Sequence, residues 1–271
     1  MAELELHESE GSLHLAFSGP AEAPLVLFAH PFPLDGSAWD PLRAACAAAG
    51  LRTAALDAPG FGRSPARKTP LTMETLAGLF ARALDALGAQ RAAIVGCSMG
   101  GYAQLAFARL FRERLSAAVL MCTRAGADSP EARARREAQA QTALAKGAQA
   151  VLAPLLPSML APGAAEGAPA LLARLRALAA GATAQGIADA LRGMAQRRDA
   201  TNDLPRFGAP ALVLAGERDQ LIPLPETAAL ESGIPGARLE VISKAGHLAF
   251  LEQPEDVAAQ VVGFLGGCLL A

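Results

Sequence analysis

The chain has 271 residues, enough for one large α/β core with an insertion and too few to require two independent cores. Its formal net charge of −2 carries no basic excess of the kind that nucleic acid or an anionic membrane surface selects. Its four cysteines, Cys46, Cys97, Cys122 and Cys268, stand in apolar contexts without a CxxC pair or zinc-type spacing, and are expected to be reduced thiols packed inside a cytoplasmic protein.

The N-terminal "MAELELHESE" is acidic and has no basic end followed by an apolar core, so no secretory leader is expected. The first strands, around 13–17, are expected to form an antiparallel edge. Continuous apolar runs follow at 25–30, 52–57, 92–96, 117–121, 211–216 and 239–243, spaced to leave room for helices. Runs of this kind suit strands covered on both faces, and hence a mostly parallel sheet built from βαβ units. Between Met121 and Ala211 the strands stop and the chain turns Ala-, Arg- and Leu-rich with helical spacing. There Ser129 is placed as an N-cap, Pro130 at the first helical position and Glu131 in the first turn, with an end near Gly147. Helices inserted between two strands predict a cap over the sheet, dividing the chain into core 1–122, cap 123–204 and core 205–271. The cluster Arg133, Arg135, Arg136 reads as a solvated helix face, because acidic and polar residues are interleaved with it; an anion site is the alternative. The tail "VVGFLGGCLLA" is too short to span a bilayer, and no membrane contact is expected.

The informative stretch is "AAIVGCSMGGYAQLAFA", where a strand-like run gives way to a helical one around Ser98. Gly96-Cys97-Ser98-Met99-Gly100 fits G-x-S-x-G, in which a serine sits on a strained strand-to-helix turn and only glycine is small enough at its flanks. The turn lifts the hydroxyl clear of the sheet and sets it at a helix N-terminus, which favours developing negative charge. Cys97 occupies the wrong position of the turn to act as a thiol nucleophile.

A serine hydroxyl needs a histidine to take its proton and a carboxylate to orient that histidine. Four histidines are available. His7 and His14 belong to the N-terminal edge and read as exposed or packing residues, and His30 precedes the serine. His247, in "SKAGHLAFLEQP" just after the last strand, is the candidate base. Asp219, in "ALVLAGERDQLIP", follows the strand at 211–216 and is the candidate acid; Glu217 is the runner-up, ahead of Asp199 and Asp203. An oxyanion hole needs two backbone N–H groups, one from Met99 after the serine and one from the loop after the strand at 25–30. That loop reads Pro31-Phe32-Pro33, and prolines carry no N–H, so Phe32 is the donor it can offer. Phe32-Pro33 is also a candidate cis bond.

Taken together, "HPFPLDGSAWDPL", "DAPGFGRS", "GCSMGG", "GERDQLIP" and "AGHLAFLEQP" resemble the α/β-hydrolase superfamily, in order and over nearly the whole chain. The FPL loop, the SMGGY turn and a short helical cap make the sequence most similar to the small carboxylesterases and 3-oxoadipate enol-lactonase-like proteins. The resemblance implies an eight-stranded, mostly parallel sheet with helices on both faces. It implies Ser98 as nucleophile, Asp219 as acid, His247 as base, and Phe32 and Met99 as oxyanion donors. Pro31 departs from the family pattern, which has glycine after the oxyanion-loop histidine. "DAPGFGRS" reads as a structural tight loop, since it lacks the order and the lysine of a phosphate loop. The expected partner is a small-molecule ester or lactone, with no metal or organic cofactor, and the pattern assigns no oligomeric state. A mainly apolar pocket is expected from Phe32, Leu34, Trp39, Met99, Tyr102 and Met194. Cofactor-free perhydrolase or haloperoxidase chemistry, C–C bond hydrolysis and thioester cleavage share the same constellation, and a slow-turnover receptor on the same fold is the non-enzymatic alternative.

Overall fold

The computed structural model describes residues 2–8 and 11–270. Eight strands form one sheet: β1 (Ala2–Glu8), β2 (Gly11–Ser18), β3 (Leu25–Ala29), β4 (Arg52–Leu56), β5 (Ala92–Cys97), β6 (Leu115–Met121), β7 (Ala211–Gly216) and β8 (Arg238–Ile242). Their order across the sheet is β1-β2-β4-β3-β5-β6-β7-β8. β1, β2 and β4 are antiparallel neighbours, and every later pairing is parallel. The helices are α1 (Asp40–Ala48), α2 (Met73–Ala86), α3 (Met99–Leu110), α4 (Pro130–Lys146), α5 (Gln149–Ser158), α6 (Ala164–Gly167), α7 (Pro169–Leu178), α8 (Ala184–Gln196), α9 (Leu224–Gly233), α10 (Ala249–Glu252) and α11 (Pro254–Leu269).

Sequence character explains this layering. Every residue of β3, β4, β5 and β7 is buried, as continuous apolar runs demand of strands covered on both faces. β8 closes the parallel side as a largely exposed edge. The acidic N-terminus, read from sequence only for its charge, is a strand as well. Its alternation of Glu3 and Glu5 with Leu4 and Leu6 has the two-residue period of a half-covered edge, and Leu4 and Leu6 pack on the core. Covering the sheet, α1 packs on α11, and α2 packs on α3.

Five helices, α4 to α8, lie between β6 and β7. The predicted boundaries of α4 hold: the Ser129 hydroxyl accepts from the Ala132 amide at 3.2 Å, Pro130 occupies the first position, and Gly147 ends the helix at φ 84°. Cys46, Cys97 and Cys122 are free and buried as expected, whereas Cys268 is exposed, because it lies on the outer face of the last helix.

Asp57, at the end of β4, ties together the loops at the C-terminal edge of the sheet. One carboxylate oxygen accepts from the Gly36 amide at 2.7 Å; the other accepts from the Arg63 amide and from His14 Nδ1, both at 2.9 Å. A side chain at Gly62, where φ is 53°, would collide with that carboxylate, which explains the glycine in "DAPGFGRS". His14 is therefore a buried partner of Asp57, while His7 in β1 is exposed. Asp57→Ala strands all three donors, and at about 1–3 kcal/mol for each buried donor left unpaired it is expected to destabilise the protein by roughly 3 kcal/mol or more. Denaturant unfolding of the variant against wild type measures this loss.

Candidate active site

The β5–α3 turn holds Ser98 at φ 52° and ψ −112°, a region that side-chain-bearing residues rarely occupy. Its neighbours permit this because they have no Cβ. A methyl group at Gly100 would strike the Ala29 carbonyl on β3, and one at Gly96 would come within 2.7 Å of the Gly100 carbonyl oxygen. The turn is also pinned from outside: the Ser98 amide donates to the Met121 carbonyl at 3.0 Å, and the Thr123 hydroxyl donates to the Ser98 carbonyl at 3.0 Å. The serine is thus fixed by its backbone, at the N-terminus of α3, while its side chain opens into a cavity of about 530 Å³ that His247 also lines. Cys97 does not line that cavity. It is buried, its sulfur lies 3.7 Å from the His247 carbonyl, and burial together with the adjacent Cys122 thiol pushes its own thiol well up.

His247 is nearly inaccessible, with 2% of its surface exposed. Its Nδ1 lies 2.8 Å from Asp219 Oδ2. A carboxylate accepts, so Nδ1 carries the proton and Nε2 keeps a lone pair with which to accept one. Asp219 is itself oriented, since its other oxygen accepts from the Leu221 amide at 2.8 Å and the Ile222 amide at 3.0 Å. The other carboxylates weighed from sequence are spent elsewhere. Glu217 accepts from the Lys244 amide at 2.7 Å, Asp199 from the Thr201 amide at 2.8 Å, and Asp203 pairs with Arg198 at 3.3 Å. Cys122 Sγ, Asp219 and His247 place metal-ligating atoms within 4.8 Å of one another, the one such group among the described residues, but the Asp219–His247 hydrogen bond already occupies two of those ligands.

The His247 loop is fastened to the inserted helices by a residue that sequence reading did not single out. Glu252 in α10 accepts from the Gly246 amide and from the Ala161 amide, each at 2.8 Å, while the His247 amide donates to the Met159 carbonyl at 3.1 Å. Burial raises the Glu252 carboxyl above its ordinary range, and the amide hydrogen bonds partly offset this. Nothing in "AFLEQP" distinguishes this glutamate from a first-turn helix acid.

On the facing loop the Phe32-Pro33 bond is cis. The Pro31 carbonyl accepts from the Leu34 amide at 2.9 Å and from His30 Nδ1 at 3.0 Å, and His30 Nε2 accepts from the Ala58 amide at 2.9 Å. His30 is therefore a neutral strut between the Phe32 loop and the Asp57 loop. Neither the Phe32 nor the Met99 amide donates to another protein group among the described residues.

Of the residues placed there from sequence, Phe32, Tyr102 and Met194 line the cavity. Leu34 and Trp39 do not. Both are fully buried, and the Trp39 ring stacks on Phe250 with centroids 4.0 Å apart, so they are core beneath the loop rather than its inner wall. The expectation of a mainly apolar pocket also needs correction, because Arg124, Arg135, Arg136, Asp128 and Glu226 line it too. Asp128, whose side chain is wholly buried, pairs with Arg124 at 2.7 Å, Arg136 at 2.6 Å and Arg197 at 2.9 Å. Burial alone would raise its carboxyl, but the Arg136 and Arg197 guanidiniums outweigh that and hold it at about 2. Arg197 lies 4.0 Å above the Tyr102 ring, a cation–π contact that fixes this cavity residue. No spacing rule flags Asp128, whose partners come from three separate segments.

Comparison with known proteins agrees with this architecture. Residues 24–254 match the sequence profile described as the alpha/beta hydrolase fold, and the chain belongs to that family. A thermophilic esterase from Thermogutta terrifontis, solved with malate bound, superimposes with a TM-score of 0.92 at 33% identity, covering 99% of this chain and all of its own. The enol-lactonase from Burkholderia xenovorans LB400 gives a TM-score of 0.87 at 29% identity, covering 94% and 96% of the two chains. The dihydrolipoyllysine-residue acetyltransferase component of the acetoin cleaving system of Cupriavidus necator is 30% identical over 90% of this chain, which spans 64% of that longer protein. No described helix is long and apolar enough to cross a membrane.

Burial sets the His30 imidazole below its ordinary value, with only partial compensation from the Pro31 carbonyl. In the folded state the neutral form is preferred, so its contribution is complete above the unfolded value. It is lost as pH falls from there to the lower folded value, because the unfolded chain takes up the proton first. Stability is expected to decline on acidification below the ordinary imidazole range of about 6.5, and His30→Gln is expected to remove that component of the slope. Denaturant unfolding of both proteins across a pH series gives the difference.

Proposed function

We propose that the protein is a serine hydrolase that cleaves a small carboxylic ester or lactone through an acyl-enzyme, with residues 123–204 serving as the cap over its pocket. The observation that carries this reading is the strained Ser98 sharing a cavity with an imidazole whose Nδ1 is bound to an oriented carboxylate. His247 Nε2 takes the Ser98 hydroxyl proton as Oγ attacks the carbonyl carbon. The unspent amides of Phe32 and Met99 receive the oxyanion, where preorganised donors stabilise the charge as it develops. His247 then gives its proton to the departing oxygen, and the ester bond breaks. Water, losing a proton to the same Nε2, attacks the acyl carbon; the bond to Ser98 Oγ breaks, Oγ takes that proton back from Nε2, and the acid leaves. Asp219 stays ionised throughout, holding the ring and balancing its positive charge. Similarity to an esterase and an enol-lactonase supports oxygen-ester substrates.

Turnover of 4-nitrophenyl esters and simple lactones is expected to fall by roughly 10⁴-fold or more in Ser98→Ala. Asp219→Asn is expected to lose about 10³- to 10⁴-fold, while Glu217→Gln stays within a few-fold of wild type. Intact mass after treatment with a phosphonate should show one adduct, absent from Ser98→Ala. A near-normal rate in Ser98→Ala refutes the assignment, and an adduct formed without turnover of any ester or lactone makes the protein a slow receptor rather than an esterase.

A further inference from the structure

We propose that the substrate carries a carboxylate, received at the α4 side of the cavity by Arg135. This rests on the hydrolase reading above and specifies its substrate class. The first observation is a charge imbalance. The cavity wall carries Arg124, Arg135 and Arg136 with Asp128 and Glu226, and Arg197 pairs with Asp128 from outside the lining, so two carboxylates stand against four positive charges. Three of the four are consumed, because Asp128 takes Arg124, Arg136 and Arg197, and Glu226 adds a contact to Arg124 at 3.4 Å. Arg135 has no ion pair or side-chain hydrogen bond among the described residues, yet it lines the same cavity as Ser98 and His247.

The second observation is its placement. Ala132, Arg135, Arg136 and Gln139 recur at the three- and four-residue spacing of one helix face, and all four line the cavity, whereas Arg133 does not. The arginine cluster is thus split by the helix. Arg136 turns to Asp128, while Arg135, exposed to solvent at the cavity, stands one helical turn from Gln139, whose side chain likewise has no hydrogen bond among the described residues. A guanidinium forks onto a carboxylate with two parallel hydrogen bonds, a match that a neutral ester cannot make. The paired arginines behind it reinforce the selection, since their surplus positive charge is fixed in place and repels cationic substrates.

The test compares two substrate pairs that differ in one charge: mono-4-nitrophenyl glutarate against its methyl ester, and the butyryl ester of glycolate against that of methyl glycolate. The wild type is expected to favour the charged member of at least one pair in kcat/KM. Arg135→Ala should lower kcat/KM for the charged member roughly tenfold more than for the neutral member, and Arg135→Glu should reverse the preference. Ser98-dependent hydrolysis of the neutral esters with no preference for the charged ones, or a preference that Arg135→Ala leaves intact, overturns this proposal and leaves the hydrolase reading standing. Absence of Ser98-dependent turnover with all four esters and with the simple lactones and 4-nitrophenyl esters overturns both.

Discussion

A serine held at φ 52° and ψ −112° is a conformational cost on the order of 1–3 kcal/mol, and it persists only because the surrounding packing allows no alternative. That packing is the sheet itself. Gly100 lies against the Ala29 carbonyl on β3, and the Ser98 amide is bound to the Met121 carbonyl at the end of β6. Three central strands therefore share responsibility for one side chain's position. Relaxing the turn would require β3, β5 and β6 to separate, which the buried apolar surface of fully covered strands opposes. The strain is local and its support is global.

The same edge collects the other groups. Asp219 and His247 sit on loops that follow β7 and β8, and Phe32 on the loop after β3, so parallel topology brings their backbones to the end of the sheet where Ser98 stands. Topology alone sets positions to within a loop's freedom, and hydrogen bonds remove what remains. His30 and Asp57 brace the Phe32 loop from beneath, and Glu252 ties the His247 loop to Ala161. These braces are buried and polar, so each is costly to leave half-satisfied, and each therefore resists independent movement of the loop it holds.

How legible this was from sequence depends on the range of the physics. The Ser98 turn is short-range sterics, and "GCSMGG" between a strand and a helix displays it completely. The candidate base was reachable by elimination, because only His247 among the histidines follows the last strand. The preference for Asp219 over Glu217 rested on position and resemblance, not on residue chemistry. They are two residues apart with the same charge, and only the Lys244 amide on one and the His247 ring on the other separate them. Leu34 and Trp39 were misplaced because nearness in sequence to the Phe32 loop says nothing about which way a side chain points. Burial sends both inward to the core, where Phe250 meets the Trp39 ring. β1 was hidden by its glutamates, which are the solvent half of an alternation whose leucines are the structural signal.

The arginines show most clearly why a sequence pattern and a site can part company. Three arginines in four positions on α4 invite a single interpretation, yet the helix period gives each a different surrounding. Asp128, in the loop before α4, is what separates them, and its grip on three guanidiniums from three segments cannot be read from any one of those segments. A wholly buried carboxylate would be expensive alone, and so would the buried Arg197; together they fix the junction of β6, α4 and α8. On the proposed reading, reaction chemistry lies on loops set by the sheet, while charge selection lies on inserted helices set by one aspartate. Because Glu252 joins the histidine loop to the inserted segment, the two halves of the cavity keep a fixed relation, and a substrate held by its charge at α4 would meet the serine at a defined distance.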